Sequence, residues 1–77
     1  MKFKALDTVV LNKNLPEFGL KKGDLGAVVQ LYKPDGLEVE FVTAAGKTQA
    51  LVTLDPRDVR HVGNTDLIAV RPLRKSA

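Results

Sequence analysis

Lys22-Gly23-Asp24-Leu25-Gly26-Ala27-Val28-Val29-Gln30-Leu31-Tyr32 runs a charged, glycine-bearing turn straight into an apolar strand. After a short Pro34-Asp35-Gly36 turn the chain returns as Leu37-Glu38-Val39-Glu40-Phe41-Val42. In the returning segment Leu37, Val39 and Phe41 alternate with Glu38 and Glu40, so one face is apolar and the other charged. The pair reads as the central hairpin of a small β-barrel. Gly23 is placed to supply a positive φ in the turn. Gly26, just inside the strand, predicts a bulge or a close backbone approach. Ala27, Val29 and Leu31 are expected on one face of this strand, and Val28, Gln30 and Tyr32 on the other.

On the N-terminal side, Thr8-Val9-Val10-Leu11 is a short β-branched run and the first strand. Asn12 to Leu20 is a loop in which Pro16 cannot donate to a ladder. Leu15, Phe18 and Leu20 keep this loop partly apolar, which predicts that it packs back over a barrel end. On the C-terminal side, Thr43 to Lys47 is a turn and Thr48 to Leu54 a fourth strand. Both faces of that strand hold Leu or Val, so its core side stays open. Asp55-Pro56-Arg57-Asp58 has the signature of a helical turn, with Asp55 as N-cap and Pro56 at the first helical position. Val59 to Val62 is a fifth strand with Val59 the buried end.

The expected fold is therefore all-β: a five-stranded SH3-like barrel with a short helical turn before the last strand. Residues 1–63 form this barrel and residues 64–77 a basic C-terminal extension. Leu67-Ile68-Ala69-Val70 has the composition of a sixth strand that would pair with Thr8–Leu11, whereas Arg71 to Ala77 reads as frayed.

The chain of 77 residues makes one domain. A chain this short buries only about 60% of its unfolded surface. It has no cysteine, which excludes disulfides and thiolate metal sites. No apolar run approaches the roughly 20 residues of a membrane helix, and the N-terminus lacks a signal-peptide pattern. A cytoplasmic location with no membrane partner is expected. The net charge of +3 is unevenly placed. Residues 1–56 are neutral; the excess comes from Arg57, Arg60, Arg71, Arg74 and Lys75 against Asp58 and Asp66.

The Gly23 to Val29 turn and strand, with the returning Leu37 to Phe41, resembles the KOW pattern of ribosomal and transcription-elongation barrels. A closer resemblance runs from Asp7 to about Val62. It is carried by Asp7-Thr8-Val9-Val10-Leu11, Leu15-Pro16-Glu17, Gly19-Leu20, Gly23-Asp24-Leu25-Gly26, Val28-Val29, Val39-Glu40-Phe41 and Leu51-Val52-Thr53-Leu54. These are similar to a family of small bacterial proteins described as a domain of unknown function. The resemblance implies an SH3-like barrel that often stands alone, with a partner encoded nearby, such as a toxin. It implies no catalytic residues. The extension past Val62 departs from it.

The residues themselves point to no catalysis. His61 has no companions at metal-ligand spacing. Glu38 and Glu40 read as solvated carboxylates. Gly23 to Gly26 lacks the Gly-Lys-Ser/Thr ending of a phosphate loop and leads into a strand. The only serine, Ser76, lies in the tail. No cofactor, no metal and no enzymatic activity are expected. The first functional reading is a protein-binding module with Phe18, Leu20 and Tyr32 as exposed apolar contacts, or with an open strand edge accepting a partner's strand. The alternative is a KOW-like nucleic-acid binder using Lys21, Lys22, Lys47, Arg57 and Arg60. Phosphate contacts give a steep dependence on salt, and an apolar groove does not. The sequence leaves the oligomeric state open.

Overall fold

The computed structural model describes residues 2–73. Five antiparallel strands form one sheet: β1 (Thr8–Leu11), β2 (Leu25–Tyr32), β3 (Gly36–Val42), β4 (Thr48–Leu54) and β5 (Val59–His61). The spatial order is β4-β3-β2-β1-β5. The only helical elements among the described residues are two 3-10 turns, Pro16–Phe18 and Pro56–Asp58. None of them is long and apolar enough to cross a membrane.

Gly26 shapes the core. On its β1 side it pairs with Val9. On its other side, one position beyond the Ala27–Glu40 pair, lies Phe41. A Cβ on Gly26 would stand 2.6 Å from Val39 Cγ1 and 2.8 Å from Phe41 Cε1. Those side chains occupy the space a side chain at position 26 would need. Gly26 thus marks a close approach, as expected, but of side chains from β3. The bulge is elsewhere. The β2–β3 register shifts between Val28 and Gln30, leaving Val29 as the extra residue. Past the bulge Gln30 pairs with Glu38 and Leu31 with the buried Leu37. The strict alternation expected along β2 is corrected accordingly: Val29 falls out of phase, and Leu31 returns to the inner face of Val28.

On β3, Leu37, Val39 and Phe41 are buried, as their alternation requires. On β4 the same side carries Ala50, Val52 and Leu54. Leu15 and Leu20 join this core from the first loop, held by reciprocal backbone hydrogen bonds of 3.0 and 3.1 Å. Phe3 completes it from the N-terminal arm and stacks on His61 with ring centroids 4.5 Å apart. Asp55 caps the second 3-10 turn: its side chain accepts from the Arg57 N–H at 2.9 Å, while its own N–H donates to Asp58 at 3.0 Å.

Leu67–Val70 does not form a sixth strand. β1 has no free edge for it, since β2 and β5 occupy both sides. Arg71, expected to fray, is instead bound to Asp24; Arg74 and Lys75 lie outside the described residues.

Phe3→Ala is expected to cost about 3–5 kcal/mol, the usual result of emptying a buried aromatic site. Leu67→Ala, at a side chain 94% exposed, is expected to leave stability unchanged. Urea denaturation midpoints of the two variants check this; similar losses would contradict it.

Candidate protein-binding edge

The sheet has two edges, and they differ. β5 is three residues long and carries Arg60 and His61. β4 is seven residues long, Thr48-Gln49-Ala50-Leu51-Val52-Thr53-Leu54, without charge, glycine or proline. Only β3 pairs with it, and no other backbone hydrogen bond reaches it among the described residues. Edge strands are usually blunted by charge, proline, bulges or brevity. Here the bulge at the start of β4, where Phe41 pairs with Ala50 and Val42 with Thr48, is the single such device.

The outer face beside this edge exposes two apolar side chains among polar ones. Leu51 is 54% exposed and Val42 56% exposed. A shallow open depression of about 280 Å³ continues it across Leu25, Ala27, Glu40 and Val42 to Thr8. Glu40 lies in the rung between Ala27 and Leu51, and its carboxylate accepts from the Thr48 hydroxyl at 2.6 Å. Glu38 accepts from Thr53 at 2.7 Å. The two glutamates expected as solvated carboxylates therefore tie β3 to β4.

The apolar residues expected to make the binding groove are not brought together. Leu20 is 4% exposed and belongs to the core, which corrects its expected role as a surface contact. Its apolar character serves the closure of the first loop. Phe18 is exposed on the first 3-10 turn, where its carbonyl accepts from Gln49 at 3.2 Å. Tyr32 is exposed beyond the rung of Leu31, Leu37 and Leu54, at the other end of β4. Gln49 and Leu54 are separated by about 17 Å of strand at 3.4 Å per residue. The Tyr32 hydroxyl is held above its usual pKa, by desolvation first and then by Glu38.

The basic residues are dispersed as well. Lys21 and Lys22 sit in the turn before β2, with their N–H groups donating to Asp24 and Asn14. Lys47 precedes β4 and Arg57 follows it, so the strand's length lies between them. Arg57 pairs with Asp55 at 3.1 Å and Arg60 with Asp66 at 2.7 Å. His61 Nε2 lies 3.1 Å from Asp7 Oδ2, and no group of three or more His, Cys, Asp or Glu among the described residues could hold a metal.

Sequence reasoning missed the clasp that holds the tail. Asp66 is bound to Arg60 on β5 and to the Gly63 N–H. Arg71 then grips Asp24 through Nε at 2.8 Å and bonds the Gly19 carbonyl at 3.1 Å. Val10, paired with Arg60 on one side and Leu25 on the other, lies between these anchors and is buried. A lone Arg ten residues past the last strand gives no sign of such a partner.

Four carboxylates feel these contacts. At Asp24 partial burial raises the pKa, but Arg71 and the Lys21 N–H outweigh it and the net shift is down. Asp66 is held down to about 2 by Arg60 and then by the Gly63 N–H. Asp7 is lowered by the Lys4 N–H and by His61, and Asp55 by the Arg57 N–H and guanidinium. Groups depressed in the folded state contribute stability above their unfolded value, and that contribution is lost as pH falls through the folded one.

A family model described as Domain of unknown function (DUF4926) matches residues 5–61. No curated protein and no solved structure matches the chain.

The melting temperature is expected to hold from pH 6 to about pH 4. It should then fall as pH drops from 3.8 toward about 2. Asp24→Asn should start lower and fall less steeply over the same range. A chain ending at Gly63 should stay folded but melt lower, with an acid limb shallower still, because Asp66 and the Arg71 contact are both gone. Identical acid limbs in parent, variant and truncation would show that the clasp contributes nothing.

Proposed function

The chain belongs to the DUF4926 family, and we propose that this member is a protein-binding module that takes up an extended segment of a partner along β4. The observation that carries the reading is the seven-residue, uncharged edge, unpaired among the described residues, beside the exposed Leu51 and Val42. Strand addition uses main-chain hydrogen bonds for affinity and alternate side chains for specificity. Here the added strand meets open backbone groups on β4, and its outward side chains lie beside Leu51. The five-strand order, the long first loop and the 3-10 turn before β5 support placing the module among SH3-like barrels.

The nucleic-acid reading draws no such support. Two of its five cations, Arg57 and Arg60, hold carboxylates of their own; Lys47 lies a strand's length from Arg57, and Arg60 sits on the opposite edge strand.

Selection of displayed ten-residue peptides against the chain tests the proposal. The binders should be apolar and β-branched, should slow amide exchange in Thr48–Leu54, and should change little in affinity between low and moderate salt. Leu51→Lys should weaken them by tenfold or more without lowering the melting temperature by more than a few degrees. Binders that leave β4 amides unprotected would refute the site. Tight oligonucleotide binding with a steep log–log salt slope would favour the alternative.

A further inference from the structure

We infer that, without a partner, the open edge of β4 is covered by β4 of a second copy of this chain, paired antiparallel about a two-fold axis at Leu51. The inference rests on the reading of β4 as an open edge and names the edge's first occupant. The outer edge of β5 is short and carries Arg60 and His61, which leaves β4 as the edge suited to pairing.

β4 is complementary to itself in this register. A two-fold axis at Leu51 sets Ala50 opposite Val52, both on the core side. The regular part of the pairing spans Ala50 to Thr53 and ends at the bulge at Gln49. Leu51 meets the Leu51 of the other copy, which removes a half-exposed apolar side chain from water in each. No charge enters the paired segment.

The flanking charges choose the register. Centred on Leu51, the pairing brings Lys47, just past the bulge at Gln49, beside Asp55 of the other copy. Lys47 has no carboxylate partner among the described residues. Asp55 uses Oδ1 for both Arg57 contacts, and Oδ2 accepts no hydrogen bond among those residues. A pairing centred one residue later, on Val52, preserves the faces as well. It brings Lys47 beside Arg57 and sets Leu51 against Thr53, trading an attraction for a repulsion and an apolar pair for a mixed one. Like charges opposed across strands are destabilising.

The contact is small, and such interfaces are weak and concentration-dependent. An isologous pairing of this kind also closes on itself, so it caps the edge rather than propagating it. A partner's strand competes for the same backbone groups, so peptide uptake and self-pairing exclude one another.

The chain lacks cysteine, so introduced thiols report position without interference. Directly opposed residues bring Cβ atoms within about 4.5–5.5 Å, close to disulfide reach. Under mild oxidation Leu51→Cys should form a covalent dimer at least tenfold faster than Thr53→Cys, whose own counterpart lies four residues out of register. Sedimentation equilibrium of the unmodified chain should show a mass rising with concentration from 8.4 kDa toward twice that value. A monomer at every concentration, or equal crosslinking of Leu51→Cys and Thr53→Cys, would overturn the inference. A monomer that still binds peptide at β4 would overturn self-pairing alone and leave the proposed function standing. A dimer of the stated register that takes no peptide would support self-pairing and sink the proposed function.

Discussion

The missing side chain of Gly26 is the constraint on which the structure depends. Val39 and Phe41 fill the volume it leaves, and Val9 pairs with its backbone from the other side. Three strands therefore converge on one position with no room for a methyl group. Glycine inside a strand costs conformational entropy, and a close approach of this kind offsets that cost. With β1 and β3 drawn in on either side of β2, the buried face of the sheet becomes one cluster that Phe3, Leu15 and Leu20 complete. No polar or charged residue is buried among the described residues. Stability rests on apolar packing, since exposed ion pairs contribute about 0–1 kcal/mol each.

The same arrangement decides which surfaces remain open. β1 and β2 lie inside the sheet, and the tail is tied on either side of Val10, away from the core cluster, by its two arginine contacts. β5 ends after three residues with charge along it. What is left is β4, long and uncharged, bordered by Leu51 and Val42. The proposals for partner and self-pairing both follow from this asymmetry between the two edges.

Local chemistry was legible in the sequence, and long-range pairing was not. The alternation of Leu37 to Phe41 sets the buried face of β3 because a strand repeats every two residues. Asp55 and Pro56 announce the second 3-10 turn because capping acts within one turn. The close approach at Gly26 showed through the residue type. The bulge at Val29 did not, since a valine carries no mark of being the extra residue in a ladder. The burial of Leu20 depends on its bridge to Leu15, and the core face of β4 on its register with β3. The grip of Arg71 on Asp24 joins residues forty-seven apart. Each depends on which segments meet, and neither periodicity nor turn chemistry carries that information.

The most direct test is a double-mutant cycle between Gly26 and its nearest neighbour, Val39, read by chemical denaturation. Gly26→Ala places a methyl group 2.6 Å from Val39 Cγ1, and Val39→Ala removes that contact, the tighter of the two with Val39 and Phe41. The two changes together should then destabilise less than the sum of the single changes, by about 1 kcal/mol or more, within the range seen for residues in contact. Additivity within about 0.5 kcal/mol, the behaviour of independent sites, would mean that the space beside Gly26 is not what shapes the sheet.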